Sequence, residues 1–362
     1  MLAPLSSSIV LQPTSLCNLN CAYCYLPDRD KNLIMPLEVA DAVARSIAAF
    51  QSRFPVSLIW HGGEPLATPI RVFETLVNAF ELLRRRRLVV HELQTNATLI
   101  SPAWCDLFQR YGFRIGVSVD GPPEYNTERV DWAGHGTFAR TLKGVDLLRR
   151  AGIPFTAIAV IGEGNIDHPE AIYDFFCRLG CFGVGFNIEE REGVNINRPL
   201  VEGLSAGRFW RGILTAWRTN PVIRIREFER SFGYVRAVLE NDERSYSQRR
   251  IDPFPTVAYN GDVVFLSPEL AGLKNELYDD FKIGNVLEHS LLDMFRKALD
   301  IRYVAEFVEG VEECARVCLY YGACGGGQAV NKLYELGTMA GTETSFCRNG
   351  KIRLLDAIID AA

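Results

Sequence analysis

The chain has no apolar run long enough to span a bilayer and no excess of positive charge. Its longest apolar stretch, at 153–162, falls far short of the ~20 residues that a membrane-spanning helix needs. The N-terminal stretch MLAPLSSSIVLQPT lacks the basic segment of a secretory signal, so we expect a cytoplasmic location. The net charge of −5 creates no field that attracts nucleic acid or an anionic membrane, and we expect neither as a partner.

The chain also lacks repeats and low-complexity tracts. Its 362 residues exceed an ordinary domain of ~150 residues, and 48% of them are apolar, which allows a large core. The one basic block, Arg84–Arg87, ends a helical pattern, where cations suit the helix dipole. We interpret this block as a solvated helix end.

Short apolar strands alternate with amphipathic segments through the first two thirds of the chain. The predicted strands lie near 8–13, 56–60, 88–95, 113–119, 154–161 and 182–188. The predicted helices between them lie near 36–51, 69–86, 101–111, 137–151 and 169–179. This alternation favours an α/β fold with a parallel sheet. Because six βα units are present instead of eight, we predict a partial (β/α)6 TIM barrel that is open on one side.

Polar residues follow several of the predicted strands. They are His61–Glu64, Gln94–Asn96, Ser118–Asp120 and Asn187–Glu189. Ligands of parallel α/β proteins gather at the carboxyl ends of the strands. We therefore expect these residues to share one site.

The alternation changes near residue 200. Two helical stretches follow, near 203–219 and 226–245, and Asn260–Gly261 then predicts a β-hairpin turn. Beyond the hairpin we expect glycine-rich, cysteine-bearing loops and a last helix near 350–360. The predicted domains are a barrel at 1–220, a helical linker at 221–250 and a cysteine-rich domain at 251–362.

Ten cysteines in a chain without a signal peptide favour metal binding or redox chemistry over disulfides. Three of them, Cys17, Cys21 and Cys24, fall within eight residues directly after the first strand. A structural zinc site needs four ligands, usually from paired C-x-x-C units. A cubane iron–sulfur cluster takes one ligand per iron, so three thiolates leave one iron free for a substrate or cofactor. A zinc knuckle remains the alternative.

A second group of cysteines lies near the C-terminus. It contains Cys314, Cys318, Cys324 and Cys347. Four thiolates can close all corners of a cubane cluster, and tetrahedral zinc is the alternative on spacing alone. The other three, Cys105, Cys177 and Cys181, are expected to be small buried apolar residues.

The spacing C-x₃-C-x₂-C after the first strand resembles the radical SAM superfamily, which binds a [4Fe-4S] cluster and S-adenosyl-L-methionine. Three further motifs follow in the superfamily's order: HGGEP at 61–65, QTNAT at 94–98 and SVDG at 118–121. The resemblance implies that Gly62, Gly63 and Glu64 hold the methionine amino group. The other implied cofactor contacts are Tyr23 near the adenine, Arg129 at the carboxylate, and Asn96, Ser118 and Asp120 at the ribose and methionine.

The C-terminal part resembles a reduced SPASM domain, which carries auxiliary clusters in peptide-modifying radical SAM enzymes. The full pattern has seven cysteines, but the hairpin that should carry two of them, VAYNGDVVFLSPEL, has none. We therefore expect at least one auxiliary [4Fe-4S] cluster.

Together, QPTSLCNLNCAYCYLPDRD, SPEL and CGGGQAVNKLYELGTMAGTETSFC resemble the cyclophane-forming maturases of the glycine-rich-repeat type (GrrM/OscB-like). The resemblance implies that a ribosomal precursor peptide is cross-linked between an aromatic ring carbon and a side-chain β-carbon. It also implies an external electron donor of the flavodoxin or ferredoxin type. Restoring aromaticity requires a base, and Asp262 and Glu269 are the candidates. The alternative for either residue is an exposed turn or capping carboxylate, which we favour on the sequence alone.

Three other functions remain possible at this point. HGGEP and SVDGPPE also resemble the anaerobic sulfatase maturases, which form formylglycine. Other SPASM maturases form thioethers or different carbon–carbon bonds. A non-catalytic iron–sulfur redox sensor is the alternative of another class, although a sensor has no use for S-adenosyl-L-methionine contacts.

Overall fold

Six parallel strands lie side by side in chain order and form the centre of one sheet. The computed structural model describes residues 1–242, 246 and 249–361. The strands are β1 (Ser8–Leu11), β2 (Val56–Trp60), β3 (Val89–Thr95), β4 (Arg114–Ser118), β5 (Phe155–Ile161) and β6 (Gly183–Ile188). Neighbouring strands pair in parallel throughout this set. The predicted α/β fold with a parallel sheet is therefore confirmed.

Eight helices accompany these strands up to Leu239. They are α1 (Leu37–Ala48), α2 (Ile70–Asn78), α3 (Glu81–Arg85), α4 (Pro102–Tyr111), α5 (Phe138–Arg150), α6 (Pro169–Leu179), α7 (Gly203–Thr219) and α8 (Arg226–Leu239). The single helix predicted at 69–86 is wrong, because the chain turns between α2 and α3. This turn buries Phe80 completely and sets its ring 6.0 Å from that of Trp60.

Four short strands extend the sheet at its two edges. They are β7 (Arg224–Ile225), β8 (Thr256–Val257), β9 (Asp262–Val264) and β10 (Gly284–Asn285). β7 pairs in parallel with β6, and β8 pairs in parallel with β1. β9 is antiparallel to β8, with Gly261 at φ +88°, so the predicted hairpin at Asn260–Gly261 is confirmed.

The C-terminal part is more helical than the sequence pattern indicated. It contains α9 (Leu291–Arg296), α10 (Arg302–Val317), α11 (Tyr321–Cys324), α12 (Ala329–Leu336), α13 (Ser345–Cys347) and α14 (Arg353–Ile359), with a π-helical turn at Arg348–Ile352. The expected loop around Cys314 is wrong, since this residue belongs to α10. Tyr303, Phe307 and Val311 recur every four residues and form the buried face of that helix.

Short 3₁₀ turns complete the fold. They are Pro65–Ala67, Pro123–Tyr125, Gly193–Asn195, Pro268–Leu270, Glu276–Phe281 and Ala298–Asp300. Part of the predicted linker, at 243–245 and 247–248, lies outside the described residues, as does residue 362. The division into domains stays a prediction. Within the described part of the chain, every helix is too short or too polar to cross a membrane.

An aromatic group fills the core beneath β2 and β3, and it includes a histidine. Trp60 Nε1 donates a hydrogen bond to His91 Nδ1 at 3.0 Å, and the His91 ring stacks 5.0 Å from that of Phe113. His91 is 1% exposed. Burial lowers the pKa of His91 to about 4, because a charged imidazole has no water there.

We expect the stability of the protein to fall as the pH falls from 6.5 towards 4. The folded pKa of His91 lies below the ordinary value of 6.5, so its contribution is complete above pH 6.5 and is lost on acidification. The loss between pH 7 and 4 is on the order of 3 kcal/mol. Urea denaturation across this range checks it, with His91→Phe as the comparison. Equal pH slopes for wild type and variant would contradict the prediction.

Candidate active site

Three thiols lie on the loop that follows β1. Cys17, Cys21 and Cys24 are all unpaired, and Cys21 is buried. Backbone hydrogen bonds hold this loop, from Ala22 N to Glu128 O at 3.0 Å and from Cys17 N to Arg29 O at 2.8 Å. Burial raises the pKa of Cys21 to about 11, and burial also raises that of Cys17. The loop therefore holds Cys17 and Cys21 as thiolates only when a bound cation compensates their charge.

The glycine turn after β2 lies directly against the cysteine loop. Gly63 has φ +63°, and a Cβ atom there would lie 2.6 Å from Leu16 O and 2.7 Å from Ser15 O. Gly62 also has a positive φ, of +89°. Both the conformation and the close approach require glycine.

Glu64 connects this turn to the end of β3. Its Oε1 accepts hydrogen bonds from Leu66 N at 3.1 Å and Thr95 Oγ1 at 2.7 Å, and its Oε2 accepts from Asn96 N at 2.8 Å. The side chain is buried, and burial raises its pKa to about 7. A carboxylate offers about four acceptor sites, so Glu64 keeps capacity for a further donor. An ammonium group bound next to Glu64 would favour the charged form of this carboxyl group.

Asn96 and Ser118 occupy the next two strand ends. Asn96 Nδ2 donates to Asn18 Oδ1 at 3.0 Å and lies 4.0 Å from Cys17 Sγ. Ser118 Oγ accepts from Gln94 Nε2 at 2.7 Å. Asn96 therefore lies beside the cysteine loop, whereas the Ser118 hydroxyl is hydrogen-bonded to Gln94 on the neighbouring strand.

Asp120, Tyr23 and Arg129 form one hydrogen-bonded group. Asp120 Oδ2 accepts from Tyr23 OH at 2.7 Å and from Arg129 Nε at 3.1 Å, and Asp120 Oδ1 accepts from Val160 N at 3.0 Å. The Arg129 guanidinium also lies 5.5 Å from the Tyr23 ring centroid. This group ties the cysteine loop to the ends of β4 and β5.

A cavity of about 260 Å³ opens at the ends of β4, β5 and β6. Of the predicted cofactor contacts, Tyr23 and Asp120 line this cavity, while Gly62, Gly63, Glu64, Asn96, Ser118 and Arg129 do not. Further lining residues are Gly162, Asn165, Glu189 and Arg198. Arg198 was missed because it lies in a segment without a helix or strand pattern, and its Nε donates to Glu189 Oε1 at 2.6 Å.

A second cavity, of about 250 Å³, lies in the C-terminal part. All four C-terminal cysteines line it: Cys314, Cys318, Cys324 and Cys347. Three consecutive glycines, Gly325, Gly326 and Gly327, follow Cys324 with positive φ angles. A Cβ atom at Gly326 would lie 2.7 Å from Val311 Cγ2, so glycine lets this turn pack against α10. The structure therefore places the four thiols around one cavity. Within the part of the chain that the structure describes, however, no three His, Cys, Asp or Glu side chains are grouped as ligands of a single metal ion.

A buried lysine accompanies these thiols, and no sequence pattern indicated it. Lys332 on α12 is 1% exposed, and its Nζ lies 3.6 Å from Cys314 Sγ. Burial lowers the pKa of Lys332, while Cys314, Cys324 and Cys347 oppose that change.

Carboxylates gather between the cysteine loop and the C-terminal part. We call Glu190, Glu192, Glu269 and Glu335 the acidic group. Burial raises the pKa of Glu190 to about 8, and the nearby charges of Glu269 and Glu335 add to the rise. Burial, Glu269 and then Cys24 raise the pKa of Tyr25. Of the two predicted bases, Glu269 therefore belongs to this group, beside the cysteine loop.

Asp262, the other predicted base, has a different environment at the start of β9. Its Oδ1 pairs with Lys282 Nζ at 2.5 Å and accepts from Asn285 Nδ2 at 2.9 Å, and its Oδ2 accepts from Asn260 Nδ2 at 2.9 Å. Partial burial opposes the change, but these donors lower the pKa of Asp262 overall. Such a carboxylate stabilises the hairpin turn and is a poor proton acceptor.

Comparison with known proteins agrees with this geometry. Residues 11–176 match the model of the Radical SAM superfamily. The chain is 34% identical to the uncharacterized protein sll1766 of Synechocystis sp., across 98% of this chain and 91% of the relative. It is 23% identical to the serine-type anaerobic sulfatase-maturating enzyme of Bacteroides thetaiotaomicron, across 88% of this chain and 81% of that enzyme.

A solved structure shares the fold. Native anSMEcpe with bound AdoMet and Cp18Cys peptide superposes with a TM-score of 0.76 over 98% of this chain and 97% of that chain, at 19% identity. The match extends over the parallel sheet and the C-terminal part alike. The chain belongs to the radical SAM superfamily, and it is an enzyme of that superfamily, whose members use a [4Fe-4S] cluster and S-adenosyl-L-methionine.

Proposed function

We propose that the enzyme cross-links a ribosomally made precursor peptide by joining an aromatic ring carbon to a side-chain β-carbon, which forms a cyclophane. Such a reaction removes two hydrogen atoms and needs a hydrogen-atom acceptor, a proton acceptor and an electron acceptor. The observation that carries the proposal is the arrangement of two thiol sites with the acidic group between them. The more specific GrrM/OscB-like assignment is part of this proposal.

Cys17, Cys21 and Cys24 would hold the first [4Fe-4S] cluster, and the free iron would bind S-adenosyl-L-methionine. When bound, these cofactors supply a 5′-deoxyadenosyl radical that removes a hydrogen atom from the peptide. Three unpaired thiols on one loop fit the cluster, and the buried Cys17 and Cys21 become thiolates only beside a bound cation. The buried Glu64, with its raised pKa, fits an ammonium group in the same way.

The cavity lined by Tyr23 and Asp120 would hold the adenosyl end of the cofactor. Asp120 contributes by fixing Tyr23 and Arg129. Gly62, Gly63 and Asn96 would contact the cofactor closer to the cysteine loop. Ser118 would contribute through Gln94, which donates to it.

Cys314, Cys318, Cys324 and Cys347 would hold an auxiliary [4Fe-4S] cluster. The shared cavity and the buried Lys332 amine fit this group, since a buried cation requires an anionic partner. In this proposal residues 251–362 form a truncated SPASM-like domain, 221–250 form a linker, and 1–220 form a partial (β/α)6 barrel. An external flavodoxin or ferredoxin would supply electrons.

Glu269 would accept the proton that leaves the aromatic ring. It lies in the acidic group, and burial raises its pKa, although a hydrogen bond from Ser267 opposes the rise. A base with a pKa moved towards neutrality is suited to proton transfer. The peptide bound to anSMEcpe supports a peptide substrate here as well.

Formylglycine formation is the second candidate function. The identity to the sulfatase-maturating enzyme of B. thetaiotaomicron over 88% of this chain favours it. The two reactions leave different groups on the peptide, because formylglycine carries an aldehyde and a cyclophane does not.

We expect the anaerobically reconstituted enzyme to release 5′-deoxyadenosine and to remove two hydrogens from a glycine-rich peptide that contains aromatic–Gly–Xaa triads. Dithionite serves as reductant, and tandem mass spectrometry should find no fragmentation inside the linked triad. A triple Cys17/Cys21/Cys24→Ala variant is the inactive control. An aldehyde at Ser or Cys, detected with a hydrazide reagent, would instead support the sulfatase-maturase function.

We expect Glu269→Gln to slow formation of the cross-linked peptide by about 10²–10⁴-fold, because a positioned base contributes this much. Formation of 5′-deoxyadenosine should continue, since hydrogen abstraction precedes proton loss. Asp262→Asn is the matched control and should react at the wild-type rate. If Glu269→Gln cross-links the peptide as fast as this control, Glu269 is not the base.

We expect Gly63→Ala to destabilise the protein more than Gly112→Ala. Gly112 has a similar φ of +66° and no atom within 4 Å of an added Cβ, so alanine there costs only about 1 kcal/mol of conformational strain. At Gly63 the carbonyl clash adds about 1–3 kcal/mol. Urea denaturation measures both differences, and equal losses would show that the close approach has no energetic weight.

A further inference from the structure

The Lys332 amine is a cation buried among the ligands proposed for the auxiliary cluster. Its Nζ lies 3.6 Å from Cys314 Sγ and 5.3 Å from the centroid of the Phe307 ring. Among the described residues, no carboxylate oxygen is recorded within 4.0 Å of this nitrogen. Its surroundings are therefore a sulfur atom and an aromatic face.

Burial of an ammonium group is costly unless an anion compensates it. The aromatic face of Phe307 offsets only a small part of that cost. Four thiolates around an iron–sulfur cluster carry net negative charge and lie where the compensation is needed. The position of Lys332 therefore fits an ion pair between its ammonium group and the negatively charged cluster.

We propose that Lys332 is the counter-charge of the auxiliary cluster and raises its reduction potential, so that this cluster accepts the electron of the cross-linking reaction. The inference rests on the proposed function. A positive charge next to a ligand sulfur stabilises the reduced cluster, which carries one more negative charge, over the oxidised one. Lys332 is thus a positioning residue that acts through Cys314.

The electron balance of this step is complete. After the new carbon–carbon bond forms, the ring carries a radical and an extra hydrogen. The ring loses that hydrogen as a proton to a carboxylate of the acidic group and loses one electron to the auxiliary cluster, which is reduced by one electron. An external carrier of the flavodoxin or ferredoxin type then reoxidises the cluster.

A second lysine near the four thiols provides a matched comparison. Lys351 lines the cavity, which Lys332 does not, and its Nζ lies 5.3 Å from the Phe346 ring centroid. No hydrogen bond to a thiol is recorded for it among the described residues, unlike Lys332. The two side chains therefore have equal charge but differ in contact with a ligand sulfur.

The test is a redox titration of the auxiliary cluster, followed by electron paramagnetic resonance. It is made in the Cys17/Cys21/Cys24→Ala background, in which only the C-terminal cluster remains. We expect Lys332→Met to make reduction at least tenfold less favourable, which lowers a one-electron midpoint potential by about 59 mV. Lys332→Arg should retain a potential close to that of the parent, and Lys351→Met should shift it less than Lys332→Met.

Each outcome separates this inference from the proposed function. If the parent binds no iron at its C-terminal cysteines, the auxiliary cluster of the proposed function is wrong. If Lys332→Met binds the cluster with an unchanged potential, only the role of Lys332 is overturned. Equal shifts for Lys332→Met and Lys351→Met would also overturn it, because they would assign the effect to the total charge of the cavity.

Loss of iron in the variants is informative as well. If Lys332→Met and Lys332→Gln bind no iron while Lys332→Arg does, the cation is required for cluster assembly, which supports the counter-charge role. If Lys332→Arg also fails, the role of the side chain is packing and the inference is overturned.

Discussion

The contact between Gly63 and the backbone carbonyls of residues 14–16 is the constraint on which the N-terminal site depends. It brings the turn after β2 against the cysteine loop without any intervening side chain. Glu64, the next residue, then reaches the end of β3 through Thr95 and Asn96. The ends of β2 and β3 are therefore fixed relative to the thiols by short backbone contacts and one buried carboxylate. This rigidity positions a reactive cofactor without relying on flexible side chains.

Two features organise the C-terminal site: the backbone conformation of its glycine turn and a buried positive charge. Its glycine turn lets the cysteines surround one cavity, and Lys332 places a cation against one of them. At the N-terminal site the buried ionisable groups include Glu64 and the Arg129–Asp120 pair, whereas at the C-terminal site an ammonium group contacts one of the thiols.

Local patterns in the sequence were sufficient to predict the six strands, the hairpin and the residues at the strand ends. Strand periodicity and turn residues act over a few positions, so they can be read directly. Pairings that join distant segments could not be predicted in this way. Arg129 with Asp120 and Lys332 with Cys314 are examples, because only the folded chain brings them together. The difference between the environments of Glu269 and Asp262 likewise depends on contacts that only the folded chain makes.

Helix α12 contacts both halves of the proposed chemistry with consecutive residues. Asn331 donates to Glu190 of the acidic group, and Lys332 contacts Cys314. Neighbouring residues of an α-helix project about 100° apart. This short helix therefore directs one polar side chain to the acidic group and the next one to the C-terminal cysteines. An insertion or deletion of one residue before the helix would rotate the side chains of Asn331 and Lys332 away from both partners. The helix therefore fixes in one register the contact of Asn331 with Glu190 and the contact of Lys332 with Cys314.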